Sequence, residues 1–236
     1  MLLCTVTAII FSMLFCRFIE RRSLKTMGFR RKNALKDYLK GLVVGTAIFS
    51  IAVLICILTG TATFTGISRN FTAGIIFLFF LGYIVQGMSE EVLCRGYFMV
   101  SCARKNSLVA AVIANSVVFA ALHLLNPGIG IMPIINLTLF GVFASVYMLK
   151  SGNIWGAAAI HSSWNFVQGN IFGIQVSGLS KTESVFSVAL SDRGTLINGG
   201  SFGLEGGIAV TIVLVISILV VLYYHPIKDQ TSNNFA

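Results

Sequence analysis

Seven apolar runs divide this chain, at about residues 2–19, 41–59, 71–102, 108–125, 131–149, 153–172 and 206–224. As an α-helix rising ~1.5 Å per residue, each is long enough to cross the ~30 Å hydrocarbon layer of a bilayer. Lipid offers no hydrogen bonds to a bare backbone, so runs of this length are stable there only as helices. The pattern predicts an all-α, polytopic transmembrane helical bundle of about seven spans. Composition agrees, since hydrophobic residues make up 56% of the chain and Asp, Glu, Lys and Arg only 11%, against roughly 25% charged residues in soluble domains. No polar block is large enough for a soluble domain, so residues 1–236 read as a single membrane domain.

The formal charge of +9 invites a nucleic-acid reading, but nine of the 17 Lys and Arg lie between Arg17 and Lys40, beside the first run and alongside Glu20 and Asp37. A juxtamembrane basic stretch is a topology signal facing the lipid bilayer, and no nucleic-acid partner is expected. If that stretch is cytoplasmic, the inside also receives Arg104, Lys105, Lys150 and Lys228, whereas the outside receives Arg69, Lys181 and Arg193. The N terminus is then outside and the C terminus cytoplasmic. The first run has no basic residues ahead of it, so it reads as a retained helix and not a signal peptide. Cys4, Cys16, Cys56, Cys94 and Cys102 form no C-x-x-C pair and lie in or beside apolar runs, as buried small hydrophobes do. The connection 173–205 is rich in Ser and Gly and leads into Gly199-Gly200-Ser201-Phe202-Gly203-Leu204-Glu205-Gly206-Gly207, an ordered turn or a flexible cap. A phosphate cradle is the sharper alternative, but no G-x-x-x-x-G-K-S/T pattern supports it.

Ionisable side chains inside a bilayer cost at least ~2.5 to 3.5 kcal/mol each, so each needs a reason. Only Glu90 and Glu91 among the eight carboxylates lie within an apolar run, and His123 and His161 join them. Glu91 and Arg95 stand four residues apart in the favourable order for a helical ion pair. Glu90 projects ~100° away around the helix, so it is left available for chemistry. Phe119 and His123 repeat the four-residue spacing on the next run, and His161 and Asn165 repeat it on the sixth, so each pair is expected on one helical face. Ending the third span near Met88 scatters these groups. Continuing it to about Cys102, with a turn at 103–107, puts Glu90 ~18 Å, His123 ~22 Å, and His161 and Asn165 ~12 and ~18 Å along their spans, in one layer. The long helix must tilt or bend, and Gly82, Gly87 or Gly96 would permit that.

Glu90-Glu91-x-x-x-Arg95, Phe119-x-x-x-His123 and His161-x-x-x-Asn165, in that order on successive helices, resemble the CPBP family of intramembrane proteases, named for CAAX protease and bacteriocin processing. That family includes the type II CAAX prenyl endopeptidases. The motifs cover about residues 75–170, and the glycine-rich stretch around Glu205 also looks like bacterial members. The resemblance implies an intramembrane endopeptidase of the glutamic type, in which Glu90 activates a water held with His123. His161 and Asn165 would then donate to the oxyanion, Glu91 and Arg95 would support Glu90, and Phe119 would pack under His123. The implied substrate is a membrane-associated or lipidated peptide, the implied setting a bacterial cytoplasmic membrane, and bacteriocin immunity or peptide maturation the implied context.

No cofactor is expected. A zinc peptidase using His123, His161 and one Glu is a rival, although no His-Glu-x-x-His helix is present. The rival from another class is a non-enzymatic immunity protein or a proton-coupled transporter, for which paired broken helices or internal symmetry would be the sign.

Overall fold

The computed structural model describes residues 2–68 and 71–224. All seven apolar runs are helical: α1 Leu2–Ile19, α2 Ala34–Leu58, α3 Ala73–Ala103, α4 Leu108–Ala121, α5 Ile131–Ser151, α6 Trp155–Phe166 with its continuation Val167–Ile171, and α7 Ile208–Tyr224. Four of these, α1, α2, α3 and α5, are long and apolar enough to cross a membrane, while α4 and α7 are apolar but shorter. The protein is an integral, polytopic helical membrane protein. Large side chains such as Phe11, Val43, Leu78, Val109, Ile131 and Leu219 point outward. In water such a surface would be a liability; against lipid tails it is matched to its solvent.

Lipid tails are as apolar as leucine, so helices in a bilayer associate mainly through close packing and polar contacts. Gly41 and Gly45 of α2 provide this. A side chain at Gly41 would run into the Gly156 carbonyl of α6, and one at Gly45 into the Ser163 hydroxyl. Phe49, one turn on, meets Trp164 edge to face at 5.1 Å between ring centroids. The α2–α6 pair is thus the frame on which His161 and Asn165 are held.

α3 runs past Glu90 to Ala103, as the depth argument requires, and spans 31 residues. Its accommodation differs from the expected glycine bend: the helix widens to π-helical geometry over Val92–Met99, starting immediately after Glu91. Such widening is concentrated at functional sites because it re-aims side chains without ending the helix. Gly87 serves close approach instead, lying against Ser162 of α6 where a Cβ would come 2.5 Å from the hydroxyl. The chain turns at 104–106, and the Ser107 hydroxyl caps α4 by accepting from the Ala110 N–H at 3.2 Å.

Three sequence expectations need correction. α4 stops at Ala121, so His123 lies in the turn that follows and not on the helix itself. Past Ala121 the chain tightens into successive turns, in which the His123 and Leu124 N–H groups donate to the Ala120 and Ala121 carbonyls at 3.0 and 3.2 Å. Cys4 is exposed and not a buried hydrophobe; all five cysteines are free thiols. α2 begins at Ala34, which places Lys36, Asp37 and Lys40 on the helix instead of in a loop. Arg69 and Lys228, used in the charge count, lie outside the described residues.

The 173–205 connection is ordered. Its strand β2, Phe186–Leu190, pairs antiparallel with β1, Ala62–Ile67, in a small sheet that no alternation in the sequence announced. Asn198 fastens the far end by donating to the carbonyls of Thr61 at 2.6 Å and Ser191 at 2.9 Å. The connection is thereby tied to the end of α2 and folded back toward the helices.

Candidate active site

Where α3, α6 and the turn after α4 meet under this connection, a cavity of about 300 Å³ opens, lined by Glu90, His123, His161 and Asn165 together with Gln86, Phe119 and Glu205. The four residues expected to do chemistry therefore share one space. Leu2, Leu122, Leu137, Leu179, Val210 and Leu214 form much of its apolar lining. Glu91 and Arg95 do not line it; their side chains are fully buried behind the wall.

Glu91 and Arg95 form the expected ion pair at 2.8 Å. The same Glu91 oxygen, Oε1, also takes the Nδ1 of His161 at 2.8 Å. A carboxylate can only accept, so His161 Nδ1 carries the hydrogen, which fixes the ring and turns Nε2 toward Glu90 Oε2 at 3.7 Å. That separation is too long for a direct hydrogen bond and short enough for one small bridging group. The Arg95 guanidinium lies 4.4 Å from the centre of the Phe119 ring, and its Nε and Nη2 have no hydrogen-bond partner among the described residues. The aromatic face thus holds the charge that hydrogen bonds leave over. Sequence reasoning gave Glu91 and Arg95 the task of orienting Glu90; in the structure they orient His161, and Glu90 is held by Gln86.

Gln86 is one helical turn before Glu90, and its Nε2 donates to Glu90 Oε1. Its own carbonyl oxygen accepts from Asn165 Nδ2 at 3.0 Å. An amide chain, Asn165 to Gln86 to Glu90, therefore links α6 to α3 across the cavity wall. The Asn165 amide nitrogen has a second N–H beyond the one given to Gln86.

His123 is placed by its own backbone. Its Nδ1 lies 2.9 Å from the Phe119 carbonyl, which can only accept, so the hydrogen sits on Nδ1 and Nε2 is the nitrogen left to the cavity. Phe119 packs against His123 at 4.9 Å and against His161 at 5.8 Å, so one ring supports both imidazoles, as expected for the first of them. Phe140 of α5 closes the far side of His161 at 5.0 Å.

The opposite wall comes from the connection, and sequence reasoning passed over it. Glu205, read as the head of the last span, is buried and lines the cavity. Its Oε2 accepts from the Ser177 N–H at 2.6 Å, the Ser177 hydroxyl at 2.9 Å and Gln168 Nε2 at 3.3 Å. Asn136 of α5 holds the backbone on either side by donating to the carbonyls of Glu205 at 2.7 Å and Gly207 at 2.9 Å. Gly203, at φ 92°, gives the loop its shape; a Cβ there would collide with the Gln175 carbonyl. Burial pushes the Glu205 carboxyl above the usual carboxylate range, against the opposing pull of the Ser177 and Gln168 hydrogen bonds and of nearby His123. Two signals could have found these residues: Gln86 at the four-residue spacing before Glu90, and a glutamate embedded in glycines.

Among the described residues no group of three or more His, Cys, Asp or Glu is arranged to hold a metal ion, and both His161 nitrogens are directed at carboxylates of α3.

The family model for Rce1-like type II CAAX prenyl endopeptidases matches residues 72–167. The matched stretch opens at the head of α3 and closes just past Asn165, so it takes in all three motifs and the helix-borne wall of the cavity. The matched family is described as one of endopeptidases. Glu205, Ser177 and the glycine-rich turn lie outside the Rce1-like match. No curated protein and no solved structure matches the chain.

Proposed function

We propose that this protein is an intramembrane glutamic endopeptidase that hydrolyses a peptide bond in a membrane-associated, prenylated peptide. The observation that carries the reading is the convergence onto one cavity of Glu90, His123, His161 and Asn165, all four within the Rce1-like match and three of them within hydrogen-bonded networks. Glu90, steadied by Gln86, takes a proton from a water that the lone pair of His123 Nε2 also engages, and the hydroxide attacks the peptide carbonyl. His161, carrying a hydrogen on both nitrogens between Glu91 and Glu90, points its Nε2–H together with the second Asn165 N–H at the developing oxyanion, and the Glu91–Arg95 pair behind them keeps the imidazole from turning. Breakdown follows when the leaving nitrogen receives a proton. The apolar lining suits a lipidated chain lying beside the scissile bond.

A metal-free mechanism is supported by the ligand set, since among the described residues no three His, Cys, Asp or Glu side chains are grouped to hold a metal ion. The basic stretch between Arg17 and Lys40 supports a cytoplasmic loop there, with the N terminus outside and the C terminus inside. The test is cleavage of an internally quenched, farnesylated CAAX peptide by the purified full-length protein in detergent. Wild-type protein cleaves it, strong chelators leave the rate unchanged, and Glu90→Gln lowers the rate by roughly 10²–10⁴-fold while eluting as a folded monodisperse protein. Equal rates for the two proteins remove Glu90 from the reaction, and inhibition by chelators returns the metal reading.

A further inference from the structure

A peptidase that takes a proton from water must also deliver one to a poor leaving group, the amine. The helix-borne wall supplies one carboxyl group to the cavity, Glu90, and the loop-borne wall supplies another. We infer that Glu205 is a second acid–base residue of this site, the carboxyl that protonates the leaving nitrogen; the inference rests on the hydrolytic reading above.

Three observations carry it. Glu205 lines the same cavity as Glu90 and His123, although it is 115 positions from the first in the chain and outside the Rce1-like region. Its two oxygens are unequal: Oε2 accepts three donors, which leaves that oxygen no room for a hydrogen of its own, whereas Oε1 has no hydrogen-bond partner among the described residues. A proton on this carboxyl therefore sits on Oε1, the oxygen not held by the loop. The lining sets only His123 against such a proton. The titratable groups facing Glu205 are Tyr83 from α3 and His123 from the turn after α4, with Glu90 and His161 on the opposite wall, and no Lys or Arg lines the cavity. Burial is the larger influence and raises the carboxyl, so the acid form persists to higher pH than for an exposed glutamate. Two carboxyl groups in unlike surroundings, one amide-bonded and one buried under a loop, is the arrangement that divides base from acid work.

The step balances. Glu90 removes one proton from water as the oxygen bonds to the carbonyl carbon, giving a tetrahedral oxyanion. Glu205 gives its Oε1 proton to the nitrogen, the C–N bond breaks with its electron pair on the amine, and the oxyanion collapses to a carboxylic acid. Glu90 then holds the extra proton and Glu205 the negative charge, and transfer through His123 Nε2 resets both.

The experiment compares two farnesylated CAAX peptides that differ only in an amide or an ester at the scissile position, since an alcohol leaves without needing an acid as strongly as an amine does. For Glu205→Gln the amide rate falls by about 10²-fold or more while the ester rate falls far less. The high-pH limb of the wild-type amide profile disappears in the variant, and Glu205→Asp restores part of the rate. Equal losses on amide and ester, or an unaltered pH limb, overturn the inference and make Glu205 a structural residue. A second readout needs no substrate: in an infrared pH titration of the resting protein, a protonated-carboxyl band persists above the ordinary carboxylate range. That band is absent from Glu205→Gln and present in Glu90→Gln; its absence from the wild type also overturns the assignment. Failure of the wild type on both peptides overturns the hydrolytic reading itself, whatever the infrared band shows.

Discussion

The two walls of the cavity are built by different means. Glu90, Gln86, His161 and Asn165 stand on α3 and α6, within the Rce1-like match, and are fixed by one-turn spacings and a helix pair that meets at glycines. His123, Ser177 and Glu205 stand on a turn and a long connection; His123 is held by the Phe119 carbonyl four residues before it, and Ser177 and Glu205 are fixed to each other across 28 residues of chain. Asn126 of the turn donates to the Ser177 carbonyl at 2.9 Å, so this second wall is one fastened unit. The difference teaches that rigidity in a membrane site has two sources. A helix wall owes it to packing that extends the length of the bundle, and a loop wall to a few specific polar contacts. Damage to the first should therefore spread, and damage to the second should stay local.

The largest effect tests the helix wall. Arg95→Ala removes the buried cation paired with Glu91 and leaves that carboxylate its His161 hydrogen bond alone, a change of a kind that costs about 3–5 kcal/mol where buried pairs have been broken. Thermal unfolding in detergent should show a single transition at much lower temperature, with loss of peptide cleavage. A near-normal melting temperature would mean that the pair is not what holds α3 and His161 together.

Next comes the loop wall. Gly203→Ala forces a side chain into a left-handed backbone position and against the Gln175 carbonyl, a strain of about 1–3 kcal/mol. Hydrogen exchange should quicken over 173–207 while α2, α3 and α6 keep their protection. Spread of the effect into those helices would break the distinction between the two walls.

These walls were also unequally legible. Seven helices followed from apolar runs because the bilayer leaves a chain few alternatives, and Glu90, His123, His161 and Asn165 stood out because charged or polar groups are rare there. That they share a cavity followed from helix lengths, which the rise per residue fixes. The partners were harder. Gln86 is a neutral amide marked only by its four-residue spacing before Glu90, yet it occupies the Glu90 carboxylate and displaces Glu91 from that task. Glu205 could not be assigned from its neighbours, because its burial comes from Ser177, 28 residues earlier, and from Gln168. The π-helical stretch after Glu91 and the β1–β2 pairing likewise depend on tertiary packing and leave no local periodicity to read.

A smaller effect separates positioning from binding on the helix wall. Gln86→Leu removes the donor to Glu90 and the acceptor of Asn165, and a lost hydrogen bond of this kind is worth about 0.5–1.5 kcal/mol, or up to roughly tenfold in rate. The loss should fall on kcat with KM little altered, because Gln86 acts through Glu90 and Asn165. A rise in KM alone would show that Gln86 touches the peptide instead.

The smallest effect is a pH dependence of folding that belongs to the loop wall. The Glu205 carboxyl is raised in the folded protein by burial. Between the ordinary carboxylate range and its raised value, the folded state holds a proton that the unfolded chain has released. Its stabilising share is therefore fully present below the ordinary range and is lost as pH rises through the raised value. Unfolding measured by denaturant across that interval should show wild-type stability falling with pH. Glu205→Gln, which carries no titrating proton there, should give a flatter curve, and Glu90→Gln should leave the wild-type slope in place. If the slope instead follows Glu90, the proton of the resting site is held on the helix wall, and the division of labour between the two carboxyl groups runs the other way.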